Sequence, residues 1–202
     1  MTTGAGAPAH VHPSIGQPSA WVSRFARLVG AGEVLDLACG SGRHARLFAQ
    51  AGHPVLAVDR DAGALAGLAA AGLPGITTLQ HDLEVAGLDA AWPFPDGRFA
   101  AIVVTNYLHR PLFPKIVAGL APGGILIYET FAFGNAAFGK PSNPAFLLKP
   151  DELLDLCRDS DPALQVLAFE QGHVEAPAPA MVQRLCAWRP VAGAAHTRLR
   201  IG

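Results

Sequence analysis

The sequence predicts an α/β fold: a Rossmann-like, mostly parallel, seven-stranded sheet with helices on both faces and a C-terminal antiparallel hairpin. Three observations support this prediction. Between residues 33 and 130, short apolar segments typical of strands alternate with segments typical of helices, as in repeated βαβ units. The segment 99–105 is almost wholly apolar, which suits a strand covered by helices on both faces. The last two strand-like segments follow each other without a helix between them, which indicates the hairpin.

The helix boundaries follow from capping residues and from the spacing of apolar side chains. Trp21 and Phe25 lie one helical turn apart in the first helix. Gly52 suits the position just after the second helix, and Asp61 suits the N-cap of the third. Pro150 is expected at the first position of the last helix. The predicted helices cover residues 19–29, 41–51, 61–72, 114–120 and 150–157.

The strands are expected where short runs of aliphatic residues are bounded by Gly, Pro, Asn or Asp. A Pro-rich connection separates the last two runs, and the sequence Ala121-Pro122-Gly123-Gly124 precedes the fifth. The predicted strands cover residues 33–38, 54–59, 76–80, 99–105, 125–130, 164–170 and 182–189.

Composition favours one folded, intracellular domain. The chain has 202 residues, of which 50% are hydrophobic and 15% charged, enough apolar material for a full core. We expect a flexible leader over residues 1–18, the domain over 19–190 and a tail over 191–202. No signal peptide or membrane-spanning run is apparent, which favours the cytoplasm. The sequence is silent on the oligomeric state.

Charge and cysteine content argue against two classes of function. The net charge of −1 does not supply the basic field that duplex nucleic acid requires, so a nucleic-acid partner is not expected. The three cysteines, Cys39, Cys157 and Cys186, are far apart and form no CxxC pair. We therefore predict no metal site and no disulfide framework.

A glycine turn carries the main functional signal. The predicted first strand leads directly into Gly40-x-Gly42 and then into a helix, so backbone N–H groups at the helix N-terminus can face a ligand. Asp59 ends the next strand, 17 residues after Gly42, where a carboxylate can accept the ribose hydroxyls of an adenosine-containing ligand. Turn, helix and acid in this order predict an adenosine cofactor.

The glycine turn also fits the dinucleotide pattern, so an NAD-dependent oxidoreductase is one alternative, and a non-catalytic module that binds an adenosine cofactor is another. Three features argue against a dinucleotide. Asp36 and Cys39 interrupt the apolar first strand, and Asp82 follows the third strand, where it can meet an adenine amino group. The Pro-Gly-Gly turn precedes the fifth strand, and a terminal hairpin replaces a sixth parallel strand.

The run from Asp36 to Asp59 resembles the first motif and the following acid of class I S-adenosylmethionine-dependent methyltransferases. Asp82, the segment Thr105-Asn106-Tyr107 and the Pro-Gly-Gly turn match later motifs of that superfamily over roughly residues 19–190. Within it, the chain most resembles small bacterial methyltransferases of the tellurite-resistance and thiopurine type. The resemblance implies S-adenosylmethionine as cofactor, S-adenosylhomocysteine as product, and an unidentified, small-molecule acceptor.

The resemblance also implies roles for individual residues. Gly40, Gly42, Asp59 and Asp82 would hold the cofactor, and Asp36 would order the loop near its methionine end. Further backbone or packing contacts would come from Ala38, Cys39, Arg60, Leu83 and Thr105. Trp21 either folds over the cofactor, with Arg24 on its carboxylate, or packs in the core.

Candidates for chemistry follow the fourth and fifth strands, whose carboxyl ends face the ligand in such folds. If the acceptor needs a base, His109 is the first candidate, then Tyr107 or Glu129. The Asn/Asp-Pro-Pro-Tyr motif of amino-group methylation is replaced by Asn106-Tyr107-Leu108-His109, which weakens the case for adenine or glutamine acceptors. The long segment 131–148 predicts a substrate lid, with Phe138 and Asn143 as its contact residues.

Overall fold

The computed structural model describes residues 16–191. The predicted leader therefore lies almost entirely outside the described residues, as do residues 192–202 of the predicted tail. The strands are β1 (Val34–Leu37), β2 (Val55–Asp59), β3 (Ile76–Gln80), β4 (Phe99–Thr105), β5 (Leu120–Phe131), β6 (Gln165–Val174) and β7 (Ala180–Trp188). The helices are α1 (Ala20–Phe25), α2 (Arg43–Gln50), α3 (Ala62–Ala70), α4 (Leu88–Ala91), α5 (Phe113–Gly119) and α6 (Glu152–Arg158).

The strands form one seven-stranded sheet in the order β3-β2-β1-β4-β5-β7-β6. Strands β1 to β5 are parallel, whereas β7 runs antiparallel between β5 and β6. The predicted sheet and its terminal hairpin are confirmed. The last strand of the hairpin is inserted next to β5, which leaves β6 at the edge.

Two apolar clusters cover the two faces of the sheet. Phe25, Phe48 and Leu65 of α1, α2 and α3 pack with one face, where Val34 and Val103 are buried. The other face packs against α4, α5 and α6 through residues such as Ala91, Phe113 and Leu153. Strand β1 is buried along its whole length, since helices cover both of its faces.

The structure corrects the start of the last helix. Pro150 does not stand at the first helical position, because the helix begins at Glu152 and its N-cap is Asp151, in the left-handed region with φ 59°. The Asp151 N–H donates to Gln171 Oε1 at 2.9 Å, which turns the chain before the helix can start. The short helix α4 was not predicted. Its four residues are too few to show a helical period.

Strand β5 begins five residues earlier than predicted, at Leu120. The Pro-Gly-Gly turn is therefore part of an irregular stretch of the strand, and the register with β4 shifts between Phe99 and Ala101. A Cβ at Gly124 would lie 2.8 Å from the Ala121 carbonyl oxygen and 3.0 Å from that of Phe99. Only glycine fits this close approach of two backbones.

Asp61 caps α3 as predicted, because its Oδ1 accepts the N–H groups of Gly63 at 2.8 Å and Ala64 at 3.1 Å. Replacing it with alanine leaves both donors without a side-chain acceptor. We expect Asp61→Ala to lower the free energy of unfolding by about 1 kcal/mol. Urea unfolding measures this change. The control Asp155→Ala, which removes only an exposed ion pair with Arg158, should cost no more than about 0.5 kcal/mol. Equal losses in the two variants would contradict the capping role.

Candidate functional site

The site lies where the chain changes sides of the sheet. The helix after β1 packs on one face and α5, after β4, packs on the other, so a crevice opens between the carboxyl ends of these neighbouring strands. Ala38 leaves β1 with φ 53° and Asn106 leaves β4 with φ 55°, both in the left-handed region that residues with a Cβ rarely adopt. Such backbone conformations cluster at functional sites.

The glycine turn is fixed by a carboxylate from the neighbouring strand. The Gly40 N–H donates to Asp59 Oδ2 at 2.7 Å, and Asp59 Oδ1 accepts the Asp61 N–H at 2.9 Å. Gly42, at φ 75°, stands at the N-cap of α2, and a Cβ there would lie 2.4 Å from the Leu68 side chain. The turn is therefore closed tightly against α3.

Asp36 lies buried beneath this turn, with 1% of its surface exposed. Its Oδ2 accepts the Ala45 N–H at 2.8 Å, whereas Oδ1 has no hydrogen-bond partner among the described residues. Burial raises the pKa of Asp36 to about 7, and the negative charge of Asp59 also raises it. The hydrogen bond from the Ala45 N–H and the positive charge of Arg43 act in the opposite direction and lower the pKa. One oxygen thus holds α2 against β1, and the other is buried and unpaired among the described residues.

A first cavity of about 250 Å³ opens at the ends of β1, β2 and β3. Three residues at its rim, Glu84, Asn106 and Tyr107, also line a second cavity. Its remaining lining residues are Ala38, Asp59, Arg60, His81, Asp82 and Leu83. Five of the predicted cofactor contacts therefore meet in one cavity, although they come from three different strand ends.

The second cavity, of about 270 Å³, lies between the end of β4 and the segment after β5. Besides the three shared residues, its lining is Leu108, Thr130, Phe131, Pro141 and Phe146. This wall is mostly apolar and aromatic, whereas the first cavity is lined by carboxylates and a guanidinium. Two chemically different chambers thus share one rim.

The structure separates the three candidate bases. Tyr107 lies on the shared rim, but burial and the carboxylates of Glu84 and Asp82 raise the pKa of its phenol well above the ordinary value. The phenol is therefore a hydrogen-bond donor at neutral pH and no base. His109 lines neither cavity; its backbone caps a short turn at 110–112.

Glu129, the third candidate, is already engaged. Its Oε2 accepts the Ser19 hydroxyl at 3.0 Å and lies 2.8 Å from Arg184 Nε. Only 9% of its surface is exposed, and it lines neither cavity. The geometry makes Glu129 an anchor for the chain around Ser19.

Seven predicted cofactor contacts line neither cavity, namely Asp36, Cys39, Gly40, Gly42, Thr105, Trp21 and Arg24. Trp21 is 3% exposed and packs in the core, where its indole N–H donates to the Leu185 carbonyl at 3.2 Å. Arg24 lies over the rings of Trp21 and Phe25 and pairs with Glu170 at 3.5 Å. Of the two roles predicted for Trp21, the structure therefore supports packing in the core. Cys39 is buried below the turn, and burial raises the pKa of its thiol above the ordinary range.

A buried histidine links the turn to the N-terminal segment. His44 is 1% exposed, and burial, together with the charge of Arg43, lowers its pKa to about 3, so the ring is neutral. Its Nε2 accepts the Ser19 N–H at 3.1 Å, and its Nδ1 lies 3.4 Å from the Thr105 hydroxyl. Thr105, a predicted cofactor contact, is 9% exposed and lines neither cavity, and its hydroxyl contacts His44 instead.

The segment 131–148 covers one side of the second cavity and is anchored at several points. Asn135 is buried and bonds to the Pro141 carbonyl and to the Met181 N–H, each at 3.0 Å. Arg110 donates to the carbonyls of Ala145 at 2.7 Å and Leu147 at 2.9 Å while paired with Glu152. Arg110 therefore holds the end of this segment.

The predicted lid residues do not line the second cavity. Phe138 stacks on His173 of β6 with ring centroids 4.5 Å apart, and Asn143 accepts the Ala145 N–H at 3.0 Å to cap a short turn. The lining residues from this segment are Pro141 and Phe146. Sequence spacing alone could not separate Phe138 from Phe146, because both follow turn-forming residues in an irregular stretch.

Sequence reasoning missed Glu84 and His81. Both come from the stretch after β3, where Asp82 Oδ1 accepts the Glu84 N–H at 2.9 Å and so forms a tight turn. The spacing Asp82-x-Glu84 is a signal for such a turn. This spacing does not reveal that Glu84 lies beside the residues that follow β4.

Residues 34–124 match the sequence profile of a family described as a methyltransferase domain. No curated protein matches the sequence significantly. Several solved structures share the fold. TehB from Haemophilus influenzae is 20% identical, with a TM-score of 0.66, over 83% of this chain and 61% of TehB, so the chain spans less than two thirds of that protein.

Two further structures are similar. The [4+2]-cyclase SpnF is 17% identical, with a TM-score of 0.65, over 85% of this chain and 78% of that one. The 1,6-didemethyltoxoflavin-N1-methyltransferase of Burkholderia thailandensis, solved with 1,6-didemethyltoxoflavin and S-adenosylhomocysteine bound, is 21% identical with a TM-score of 0.59, over 85% and 77%. At these identities the likeness establishes the fold alone.

Residues 16–191 contain no group of three His, Cys, Asp or Glu side chains arranged to hold a metal ion. Over the same range, no helix has the length and apolar character needed to cross a bilayer.

The buried Asp36 makes stability depend on pH. Its pKa in the folded chain lies above the ordinary value, so the folded state binds the proton more tightly and stability falls as pH rises from about 4 to 7. Asp36→Asn removes this penalty and keeps an oxygen for the Ala45 N–H. The difference in the free energy of unfolding between Asp36→Asn and the unsubstituted chain should therefore shift in favour of the variant from pH 5 to pH 8, by on the order of a few kcal/mol. Urea unfolding at both pH values measures this difference, and Asp155→Asn is the control. The same difference at both pH values would contradict the assignment.

The Arg110 contacts should hold the end of the 131–148 segment. Arg110→Gln removes the ion pair with Glu152 and the donors to two carbonyls, so the segment opens locally more often. Hydrogen exchange followed by mass spectrometry should show several-fold faster exchange over residues 144–148 and unchanged exchange over β1 and β4. Arg98→Gln, which breaks a pair with Glu33 elsewhere, serves as control. Unchanged exchange over 144–148 in Arg110→Gln would exclude this role.

Proposed function

We propose that this chain is a class I S-adenosylmethionine-dependent methyltransferase and that it transfers a methyl group from that cofactor to a small-molecule acceptor. The observation that carries the proposal is the pair of cavities whose shared rim is formed by Glu84, which follows β3, and by Asn106 and Tyr107, which follow β4. Methyl transfer needs two ligands side by side, and two adjoining chambers of different chemistry provide for them.

The residues of the first cavity fit the adenosine part of the cofactor. Asp59 offers a carboxylate to the ribose hydroxyls, although each of its oxygens already accepts one backbone N–H. A carboxylate has about four lone-pair sites, so each oxygen can accept a further hydrogen bond. Asp82 and the buried Leu83 border the same cavity and suit the adenine ring.

Asp36 fits the charged end of the cofactor. Its buried Oδ1 has no partner among the described residues, and a buried unpaired carboxylate oxygen is costly. A donor such as an ammonium group would satisfy it and would draw the Asp36 carboxyl toward its ionised form. The glycine turn, which Asp36 holds through Ala45, lies between this carboxylate and Asp59.

The cofactor, when bound, supplies an activated methyl group on a sulfonium. The chain's own part is to hold the acceptor in line, and alignment at about 3 to 3.5 Å can account for most of the acceleration. Tyr107 and Asn106 both line the rim that the two cavities share, and the protonated Tyr107 phenol offers a hydrogen-bond donor. We therefore propose a reaction that relies on positioning and does not use His109, Tyr107 or Glu129 as a base.

A small acceptor suits the second cavity, whose volume of about 270 Å³ lies just below the usual range for ligand sites. The similar Burkholderia enzyme acts on a small heterocycle, which supports this class. Free Cys39, Cys157 and Cys186 suit a reducing compartment, and we propose that the protein works in the cytoplasm.

The two alternatives predict different binding. An NAD-dependent oxidoreductase would bind NADH, but the insertion of antiparallel β7 beside β5 departs from the all-parallel dinucleotide sheet. A non-catalytic module would bind S-adenosylmethionine and never turn over. SpnF shows that this fold also supports a cyclase, so turnover has to be measured directly.

The role of Asp59 is tested by calorimetric titration with S-adenosylmethionine, S-adenosylhomocysteine and NADH. We expect micromolar binding of the two sulfur nucleosides and none of NADH. Asp59→Asn loses the charge and one acceptor, so both nucleosides should bind at least tenfold more weakly. Asp155→Asn, on the exposed side of α6, should bind them normally. Binding of NADH alone would overturn the methyltransferase proposal.

A further inference from the structure

We infer that the second cavity selects a flat aromatic acceptor that carries a positive charge or a hydrogen-bond donor, and that Glu84 recognises this group. The inference rests on the proposed function, because it assigns the second cavity to the methyl acceptor. It goes further by stating the chemical class of that acceptor and the side chain that selects it.

The walls of the cavity favour an aromatic ring. Leu108, Phe131, Pro141 and Phe146 line it, and Phe146 is 51% exposed even though it is a large apolar side chain. An exposed phenylalanine at a cavity mouth gains when a ligand covers it, both through burial and through ring stacking. Arg110 and Asn135 hold the segment that carries Phe146 and Pro141, so these two walls are preorganised.

The charge of the cavity favours a cation or a donor. Glu84 is the only charged side chain among the residues that line the second cavity. The neighbouring Tyr107 keeps its proton, because burial and nearby carboxylates raise its pKa, and so it adds no second negative charge. With no basic side chain in this lining, an anionic acceptor would meet Glu84 without compensation, whereas a cation or an N–H donor would pair with it.

The position of Glu84 is set by local structure. The Asp82 carboxylate accepts the Glu84 N–H at 2.9 Å, and the preceding residue, Leu83, is buried at 4% exposure. These contacts hold the backbone of the turn between the two cavities. Glu84 therefore stands at the shared rim, which is the place where donor and acceptor molecules must meet.

Three quinolines of matched size and shape test the inference. The probes are 4-aminoquinoline, which is cationic at neutral pH, neutral 4-methylquinoline, and anionic quinoline-4-carboxylate. Their dissociation constants are measured by calorimetry on the full chain saturated with S-adenosylhomocysteine. We expect 4-aminoquinoline to bind at least tenfold more tightly than quinoline-4-carboxylate, with 4-methylquinoline between them.

Substitution of Glu84 should remove this order. In Glu84→Gln, the ratio of the dissociation constants of the carboxylate and the amine should fall toward 1, and Glu84→Ala should give the same loss. The ratio is informative even if the substitution also weakens the cofactor, because that effect is common to all three probes. Rescue of the preference in Glu84→Asp would strengthen the assignment.

Two phenylalanines form a matched pair of controls. Phe146→Ala should weaken the binding of all three probes about equally and leave the order of their affinities unchanged, because Phe146 lines the cavity but carries no charge. Phe138→Ala should change none of the three dissociation constants, because Phe138 stacks on His173 outside the cavity. Equal effects of the two substitutions would overturn the assignment of the cavity.

The outcomes separate the two proposals. If the chain binds S-adenosylhomocysteine but no quinoline, or if the preference persists in Glu84→Gln, the inference about the acceptor is wrong and the proposed function stands. If the chain does not bind S-adenosylhomocysteine, the proposed function itself fails. A preference for the amine that disappears in both Glu84 variants supports the inference.

Discussion

The pairing of β1 with β2 on one side and β4 on the other is the constraint on which the site depends. The chain leaves β1 toward one face of the sheet and β4 toward the other, so their carboxyl ends bound an open crevice. Both exits need a left-handed residue, Ala38 and Asn106. The Asn106 N–H is bonded to the Glu129 carbonyl at 2.9 Å, which holds its side of the crevice in place.

Several polar groups are buried around this crevice and are held by hydrogen bonds. Asp36, His44 and Glu129 are all at least 91% buried, and each has at least one hydrogen-bond partner from another element. His44 can accept the Ser19 N–H because its ring is neutral. The burial of such groups is costly unless they are paired. The network therefore ties Ser19, α2 and β5 into one arrangement, with Asp36 Oδ1 as its unpaired member.

The two cavities differ in how they are built. The first is made from the ends of consecutive βα units, where each contributing residue lies within a few positions of a strand end. The second depends on contacts between distant parts of the chain, such as those of Arg110 with Ala145 and Leu147 and that of Asn135 with Met181. The shape of the second cavity therefore depends on long-range contacts more than that of the first does.

The sequence by itself determined the mostly parallel sheet with its terminal hairpin, the glycine turn and the approximate place of Asp59 and Asp82. These features follow from local patterns of apolar period, capping and turn-forming residues, which operate over a few positions. Only the tertiary structure decided that Trp21 is a core residue, that Glu129 is held by Ser19 and Arg184, and that Phe146 instead of Phe138 lines the second cavity. In each of these cases the role of a side chain depends on a partner far away in the chain, and no local spacing specifies which partner it meets.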